Sequence, residues 1–234
     1  MKPLVIVSAV GEWRMVKELF PGGQVEQSPF GELLNLKLGP WDLMLFQGGW
    51  GKISAAATAQ YVIDRFKPDL LINLGTCGGF EGRIENGTII LVERTIVYDI
   101  LEQMTDAAGA IAHYSTELDL SWLPRVLPFP VLRGLLISGD RDIVAEDIPM
   151  LVKKYGAVAA DWESGAIAWV AQRNGIRLLI LRGVSDLVGA SGGEAYGDYE
   201  LFKQRTKEIM KRLFEELPKW LGAVESIEQG YRGY

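Results

Sequence analysis

Two acidic segments in the last third of the chain carry residue types suited to acid–base chemistry: Asp161-Trp162-Glu163-Ser164-Gly165 and Arg182-Gly183-Val184-Ser185-Asp186. A carboxyl group can hand a proton to a leaving group, take one from water, or accept hydrogen bonds from hydroxyls. Glu163 lies in a stretch of small and apolar residues, 157–170, that reads as a strand end entering a largely buried helix. Asp186 follows the apolar run 176–181, which reads as a buried parallel strand. Ligands of open α/β sheets bind at the carboxyl ends of strands. Carboxylates at two such ends predict one polar site on an apolar scaffold, the layout of an enzyme. Glu12, just after the first strand, is a further acid, although an acid in a helix's first turn also stabilises the helix dipole. Ser138-Gly139-Asp140 ends another apolar strand, and Asp140 reads either as support for the site or as a cap for a helix near Ile143.

Glycine-rich turns supply the complementary surface. Gln47-Gly48-Gly49-Trp50-Gly51-Lys52 follows a strand and opens a helix, so bare amides can approach an anion or a hydroxyl-rich group. It lacks the spacing of a dinucleotide fingerprint, and Ile53 after Gly51-Lys52 excludes a Walker loop. Leu74-Gly75-Thr76-Cys77-Gly78-Gly79 ends a central strand, either as a tight turn or as backbone against which a ligand presses. Cys77, with no basic neighbour in sequence, reads as a small buried packing residue.

These segments need elements to place them. Strand-like runs fall at 4–7, 33–38, 43–47, 70–74, 88–97, 131–138, 158–161 and 178–184, and helix-like stretches at 12–19, 53–66, 148–155, 163–174 and 199–220. Lys67-Pro68 stops the second helix and Asn174-Gly175 the fourth. Buried strands alternating with helices predict a single-domain, three-layer α/β/α fold with a mixed, mostly parallel central sheet. That domain spans 1–221; residues 222–234 lose periodicity and read as a loose C-terminal tail. The segment 100–130 is irregular and reads as a lid or an oligomer contact.

With 234 residues and 48% hydrophobic content, the chain is an ordinary globular protein with one large core. A net charge of -6 with no basic stripe argues against nucleic acid as a partner, and no apolar run is long enough to span a bilayer. One cysteine and one histidine, His113, exclude an internal disulfide and a structural zinc site, and fit a reducing cytoplasm. His113 sits in a Gly/Ala-rich stretch unlike the setting of a nucleophile triad.

Together the segments resemble the nucleoside phosphorylase/nucleosidase superfamily, and within it the 5′-methylthioadenosine/S-adenosylhomocysteine nucleosidases. The resemblance runs in consistent order from Met1 to about Leu221, through Gly49-Trp50-Gly51-Lys52, Lys67-Pro68-Asp69, Asn73 to Gly79, Ser138-Gly139-Asp140, Asp161-Trp162-Glu163 and Arg182 to Asp186. It implies hydrolysis of a purine nucleoside's N-glycosidic bond, with no metal or organic cofactor, in a homodimer or higher homo-oligomer. By that resemblance Asp186 is the general acid at N7, with Ser185 orienting it, and Glu163 holds the ribose 2′ and 3′ hydroxyls. Trp162 packs on the sugar where the family usually has Met, and Asp161 supports the neighbouring turn. Thr76, Gly78 and Ile143 complete the substrate-binding set.

Water or phosphate as nucleophile is the remaining choice. Phosphorylases of the superfamily usually carry Arg where this chain has Asn73, and a Gly-Asp-Pro segment with a further arginine that 7–12 does not match. Without those guanidiniums the site favours water. The nucleosidases use an N-terminal glutamate to activate it; Glu12 is the candidate, although an ungapped alignment puts Trp13 in that slot. After Ser138-Gly139-Asp140 the family tends to place Phe-Ile, the Phe stacking on adenine, where this chain has Asp142-Ile143; Tyr98-Asp99 falls on the 5′ side. These departures leave open another purine, including that of futalosine. They also leave open a phosphorylase using Arg94 or Lys52, or a nucleoside-binding protein without chemistry.

Overall fold

The structure, a computed structural model, describes residues 1–231. Eleven strands are arranged around one sheet. In chain order the elements are β1 (Pro3–Val7), α1 (Val10–Leu19), β2 (Gln24–Gln27), β3 (Glu32–Leu38), β4 (Trp41–Gln47), α2 (Gly51–Phe66), β5 (Leu70–Phe80) and β6 (Ile89–Val97). Then come α3 (Ala107–His113), β7 (Ser115–Glu117), β8 (Leu132–Ser138), α4 (Ile148–Tyr155), β9 (Ala159–Asp161), α5 (Ser164–Arg173), β10 (Arg177–Gly189), β11 (Gly192–Gly193) and α6 (Tyr199–Tyr231). A short 3-10 turn, Ala145–Asp147, leads into α4. Among the described residues no helix is long and apolar enough to cross a membrane.

Strand alternation builds the three layers. In β1, Val5 and Val7 face a core shared with Trp13, Met15 and Val16 of α1 and Met210, Leu213 and Leu217 of α6. Leu4 and Ile6 face the opposite core, with Ala59 and Val62 of α2 and Ile167 and Ala171 of α5. Successive side chains of a strand point to opposite faces, so a strand apolar at every position must be covered on both. The centre is parallel: β4, β1, β5 and β10 run together. Antiparallel pairing enters through the β2–β3–β4 meander, and where β6 meets β10 and β9 meets β5. β6 also runs parallel to β8, and β8 to β9, so β5, β9, β8, β6 and β10 close into a ring.

Helix punctuation follows the sequence. Lys67, in the left-handed conformation at φ 49°, ends α2 immediately before Pro68. Gly175, at φ 64°, turns the chain after α5.

Four segments differ from the sequence reading. Gly75-Thr76-Cys77-Gly78-Gly79 is neither a turn nor a loop: β5 continues through it to Phe80, paired with β10 along its whole length. β10 likewise runs past Asp186 to Gly189, with a register shift between Val184 and Asp186. The irregular segment 100–130 contains α3 and β7. The expected loose tail from 222 is helical as far as Tyr231, and Val224 is buried against the α6 side of the core. Residues 232–234 lie outside the described residues.

Candidate active site

The two long strands make the site. A charged side chain in a buried strand must find partners there, because an unpaired buried charge is prohibitively costly. Arg182 is fully buried in β10, and its guanidinium reaches four elements. Nη2 lies 3.1 Å from Asp161 Oδ2 and 4.0 Å from Glu163 Oε2, and Nη1 lies 3.7 Å from Glu12 Oε1. Nη2 also donates to Asn73 Oδ1 at 2.9 Å, and Nε to Ser164 Oγ at 2.9 Å. Burial alone would ease the guanidinium's proton loss, but Asp161, Glu12 and Glu163 together raise its pKa and keep it charged.

Glu12 is placed by α1. Its Oε2 accepts the Ala9 amide at 3.2 Å, closing the helix's first turn. Its Oε1 accepts both the Thr76 amide, at 2.5 Å, and the Thr76 hydroxyl, at 2.9 Å. Helix capping and membership of the site are therefore one arrangement. Trp13 points into the core instead, with its indole N–H donating to Glu32 at 2.6 Å. Gly75 gives the Arg182–Glu12 pair its room: a Cβ there would stand 1.9 Å from Arg182 Nη1 and 2.7 Å from Glu12 Oε1.

Glu163 stands at the N-terminus of α5 and accepts the Gly51 amide from the start of α2 at 3.1 Å. Burial pushes its pKa up to about 8, with Asp161 and Glu12 adding to the rise and Arg182 opposing it. Asp161 is the hub beneath: it accepts the Ser138 hydroxyl at 2.5 Å and the Ser164 amide at 3.1 Å, which ties β8 and β9 to α5. Asp140 caps α2 and not a helix near Ile143, since its Oδ1 accepts the Lys52 amide at 2.8 Å.

Asp186 sits at the irregularity of β10, with Oδ1 accepting the Ser185 hydroxyl at 2.8 Å. Its pKa is raised: burial favours the protonated acid, and the Ser185 hydrogen bond opposes that only in part. Cys77, buried beside Asp161 and Asp186, has its thiol pushed well above the ordinary value, chiefly by burial, which makes it a poor nucleophile.

All nine residues expected in the site line one cavity of about 560 Å³: Glu12, Thr76, Gly78, Ile143, Asp161, Trp162, Glu163, Ser185 and Asp186. The cavity has two ends. Tyr196 O–H donates to Ile143 O at 3.0 Å, and a Cβ on Gly78 would meet Ile143 at 2.7 Å, so these residues wall the Asp186 end. Trp50 and Trp162, stacked with centroids 5.0 Å apart, wall the Glu12 and Glu163 end. Neither cation weighed as a phosphate ligand lines the cavity. Lys52 is bound to Asp99, and Arg94 pairs with Glu117 at 2.9 Å. His113, at the end of α3, packs against Tyr114 and against Trp169 of α5, and does not line the cavity.

Sequence reasoning missed Arg182 as the centre of the cluster, although an arginine inside an apolar strand run was a visible signal of a buried ion pair. Tyr196 and Phe202, which also line the cavity, follow no periodicity that marks them.

Comparison with known proteins adds an independent line. A family model described as "Phosphorylase superfamily" matches residues 3–218. A 5′-methylthioadenosine/S-adenosylhomocysteine nucleosidase of Buchnera aphidicola is 32% identical over 158 residues, covering 62% of this chain and 67% of that protein. One from Anoxybacillus flavithermus is 26% identical over 200 residues, covering 76% and 82%. In solved structures, the Helicobacter pylori nucleosidase with butyl-thio-DADMe-Immucillin-A superposes with a TM-score of 0.77 at 18% identity, over 94% of this chain and 99% of that one. A putative nucleosidase from Borrelia burgdorferi bound to adenine gives 0.73 at 21% identity, over 92% and 99%.

Two expectations follow. Gly75→Ala should destabilise the protein by about 1–3 kcal/mol in denaturant unfolding, because backbone-level overpacking displaces the Arg182–Glu12 pair; unchanged stability would mean the cluster yields freely. Glu163 keeps in the folded state a proton that the unfolded chain gives up between pH 4.5 and about 8. Its contribution to stability is therefore complete below the unfolded pKa and lost as pH rises toward the folded one. Thermal unfolding of Glu163→Gln should decline less steeply from pH 5 to 8 than that of the native protein, and parallel profiles would refute the shift.

Proposed function

The chain belongs to the phosphorylase superfamily, and on that footing we propose that it is a purine-nucleoside N-glycosyl hydrolase working by the chemistry of the 5′-methylthioadenosine/S-adenosylhomocysteine nucleosidases. The observation that carries hydrolysis over phosphorolysis is the charge of the cavity. Glu12, Asp142 and Asp161 line it as carboxylates, Glu163 and Asp186 add acids that burial shifts toward the neutral form, Arg182 is engaged by the acidic cluster and Arg141 by Asp147. A phosphate dianion entering such a site meets net repulsion with no free guanidinium to offset it, whereas water does not.

In this reading the purine lies toward Asp186 and the ribose lies over Trp162, with its 2′ and 3′ hydroxyls on Glu163. Hydroxyl donors favour the ionised carboxylate, so binding the sugar draws the Glu163 pKa back down and releases its proton. The C1′–N bond breaks with its electron pair leaving on the base, and Asp186 delivers its proton to N7. Burial of Asp186 serves this step, because it shifts the carboxyl toward its protonated form, which has a proton to give. Water held by Glu12 forms the new O–C1′ bond and passes its proton to that carboxylate. Free base and free sugar are the products. Ser185 orients the acid, Asp161 holds the turn under Glu163, and Arg182 keeps Glu12 in place through its charge.

The substrates for which the relatives are named, methylthioadenosine and S-adenosylhomocysteine, are the first to assay. Asp186→Asn should lower kcat about 100- to 10,000-fold while leaving ligand binding largely intact; near-normal turnover would reject the general-acid role. Turnover that requires phosphate and yields a sugar 1-phosphate would replace the hydrolase with a phosphorylase.

The exposed apolar side chains Trp50, Ile53, Leu101 and Met104 flank the start of α2 and the segment after β6, which Lys52 joins through Asp99. We take them as the contact of a homodimer, since isolated patches of this kind usually mark an interface. Sedimentation should give about twice the chain mass, and Ile53→Glu should shift it to monomer; a native monomer would refute this.

A further inference from the structure

We propose that Lys52 is a positioning residue for the ribose. Clamped between Asp99 and Asp140 outside the cavity, it holds the Gly51 amide on Glu163 and so presets the carboxylate that takes the sugar hydroxyls. The inference rests on the ribose role of Glu163 given above and deepens it.

The first turn of α2 has no cap of its own. Trp50 stands at the N-cap without a side-chain hydrogen bond, and no acid follows in the first turn. The first amides of a helix have no partner within it and must find one elsewhere. Two carboxylates from distant segments supply it here. Glu163 Oε1 accepts the Gly51 amide at 3.1 Å, and Asp140 Oδ1 accepts the Lys52 amide at 2.8 Å. One helix start is thus shared between an acid of the candidate site and an acid outside it.

Whether the Gly51 amide stays on Glu163 depends on what fixes this turn. Gly49 and Gly51 both hold positive φ, 77° and 81°, and glycine loses more conformational freedom on ordering than any other residue. Lys52 is the anchor. Its ammonium binds the Asp99 carboxylate and lies 3.8 Å from Asp140 Oδ2, while the Asp140 amide donates to Asp99 Oδ2 at 2.8 Å. Lys52, Asp99 and Asp140 therefore close a cycle that joins the start of α2 to the segments after β6 and β8. The Lys52 and Asp99 side chains are only 23% and 15% exposed, so this pair is held more firmly than an ordinary surface ion pair.

The anchoring reaches Glu163 through charge as well as position. Glu163 is faced by Glu12 from α1, Asp161 from β9 and Arg182 from β10. The two acids oppose its ionisation, whereas Arg182 and the Gly51 amide favour it. Arg182 comes no nearer to Oε2 than 4.0 Å, so the Gly51 amide is the close donor to this carboxylate. Sugar hydroxyls donate best to an ionised acid. A loosened turn withdraws the amide and leaves Glu163 harder to ionise and less well aimed.

The test is a double-mutant cycle on the affinity for methylthioadenosine, read as KM where the nucleoside is cleaved and as Kd by calorimetry where it is not. Lys52→Met should weaken that affinity about five- to tenfold, the scale of one hydrogen bond, with kcat changed less. The loss should be largest below about pH 8 and shrink as pH rises past it, where Glu163 ionises unaided. Lys52→Arg should restore most of it. In a Glu163→Ala background the same Lys52→Met change should weaken binding less than about twofold, because the group it positions is gone. Free adenine, which has no ribose, should bind native protein and Lys52→Met equally. Asp99→Asn opens the same cycle from its other side and takes the place of Lys52→Met if that variant does not fold. An unmoved affinity, an equal loss with and without the Glu163 carboxylate, or an equal loss for adenine overturns the role of Lys52 and leaves that of Glu163 standing. If Glu163→Ala itself leaves the affinity unmoved, or the native protein binds no nucleoside, the ribose reading fails and the role of Lys52 falls with it.

Discussion

One buried guanidinium organises this protein. Arg182 sits in a buried strand at the centre of the sheet, and its charge is tolerated only because carboxylates from α1, β9 and the start of α5 converge on it. Those three acids could not otherwise be buried together, and removing the cation would leave an uncompensated cluster. Glu163 absorbs the remaining imbalance by holding a proton. The cluster is thus also a constraint on shape, because it fixes where three elements distant in sequence must meet.

The sheet supplies the precision that this meeting needs. β5 and β10 run parallel from Leu70 and Arg177 through Gly79 and Leu187, so Thr76 and Arg182 are set by one register and not by a loop. Sites built on strands hold geometry more tightly than sites on loops. The loops contribute the cavity's outer walls, where Asp142 and Tyr196 stand. The buried acids thus lie on the rigid part and the outer walls on connecting segments.

Much of this was legible in the sequence, for a physical reason. Acids and glycines embedded in apolar runs are costly unless used, and Glu163, Asp186 and Gly78 all stood out on that ground. The stops at Lys67-Pro68 and Asn174-Gly175 gave α2 and α5 to within two residues. What stayed hidden was non-local. Glycines at 75–79 read as the end of a strand, but the strand continues, and Gly75 is bare because Arg182 and Glu12 cross over it. Gly222 and the polar residues after it read as a tail, while Val224 is held by a core that reaches back to Val5 and Val7 of the first strand. Glu12 or Trp13 could not be chosen from spacing; in the structure the Trp13 indole is buried and bonded to Glu32, while Glu12 lines the cavity.

The ring of β5, β9, β8, β6 and β10 has a further meaning for how the molecule comes into being. β10 closes it, and β10 is also the strand that brings Arg182. During synthesis every acid of the cluster emerges before its cation does. Until Arg177–Gly189 has left the ribosome, Glu12, Asp161 and Glu163 have every reason to stay in water. β10 therefore acts as a latch: the strand that closes the ring is also the one that carries the charge the three acids require.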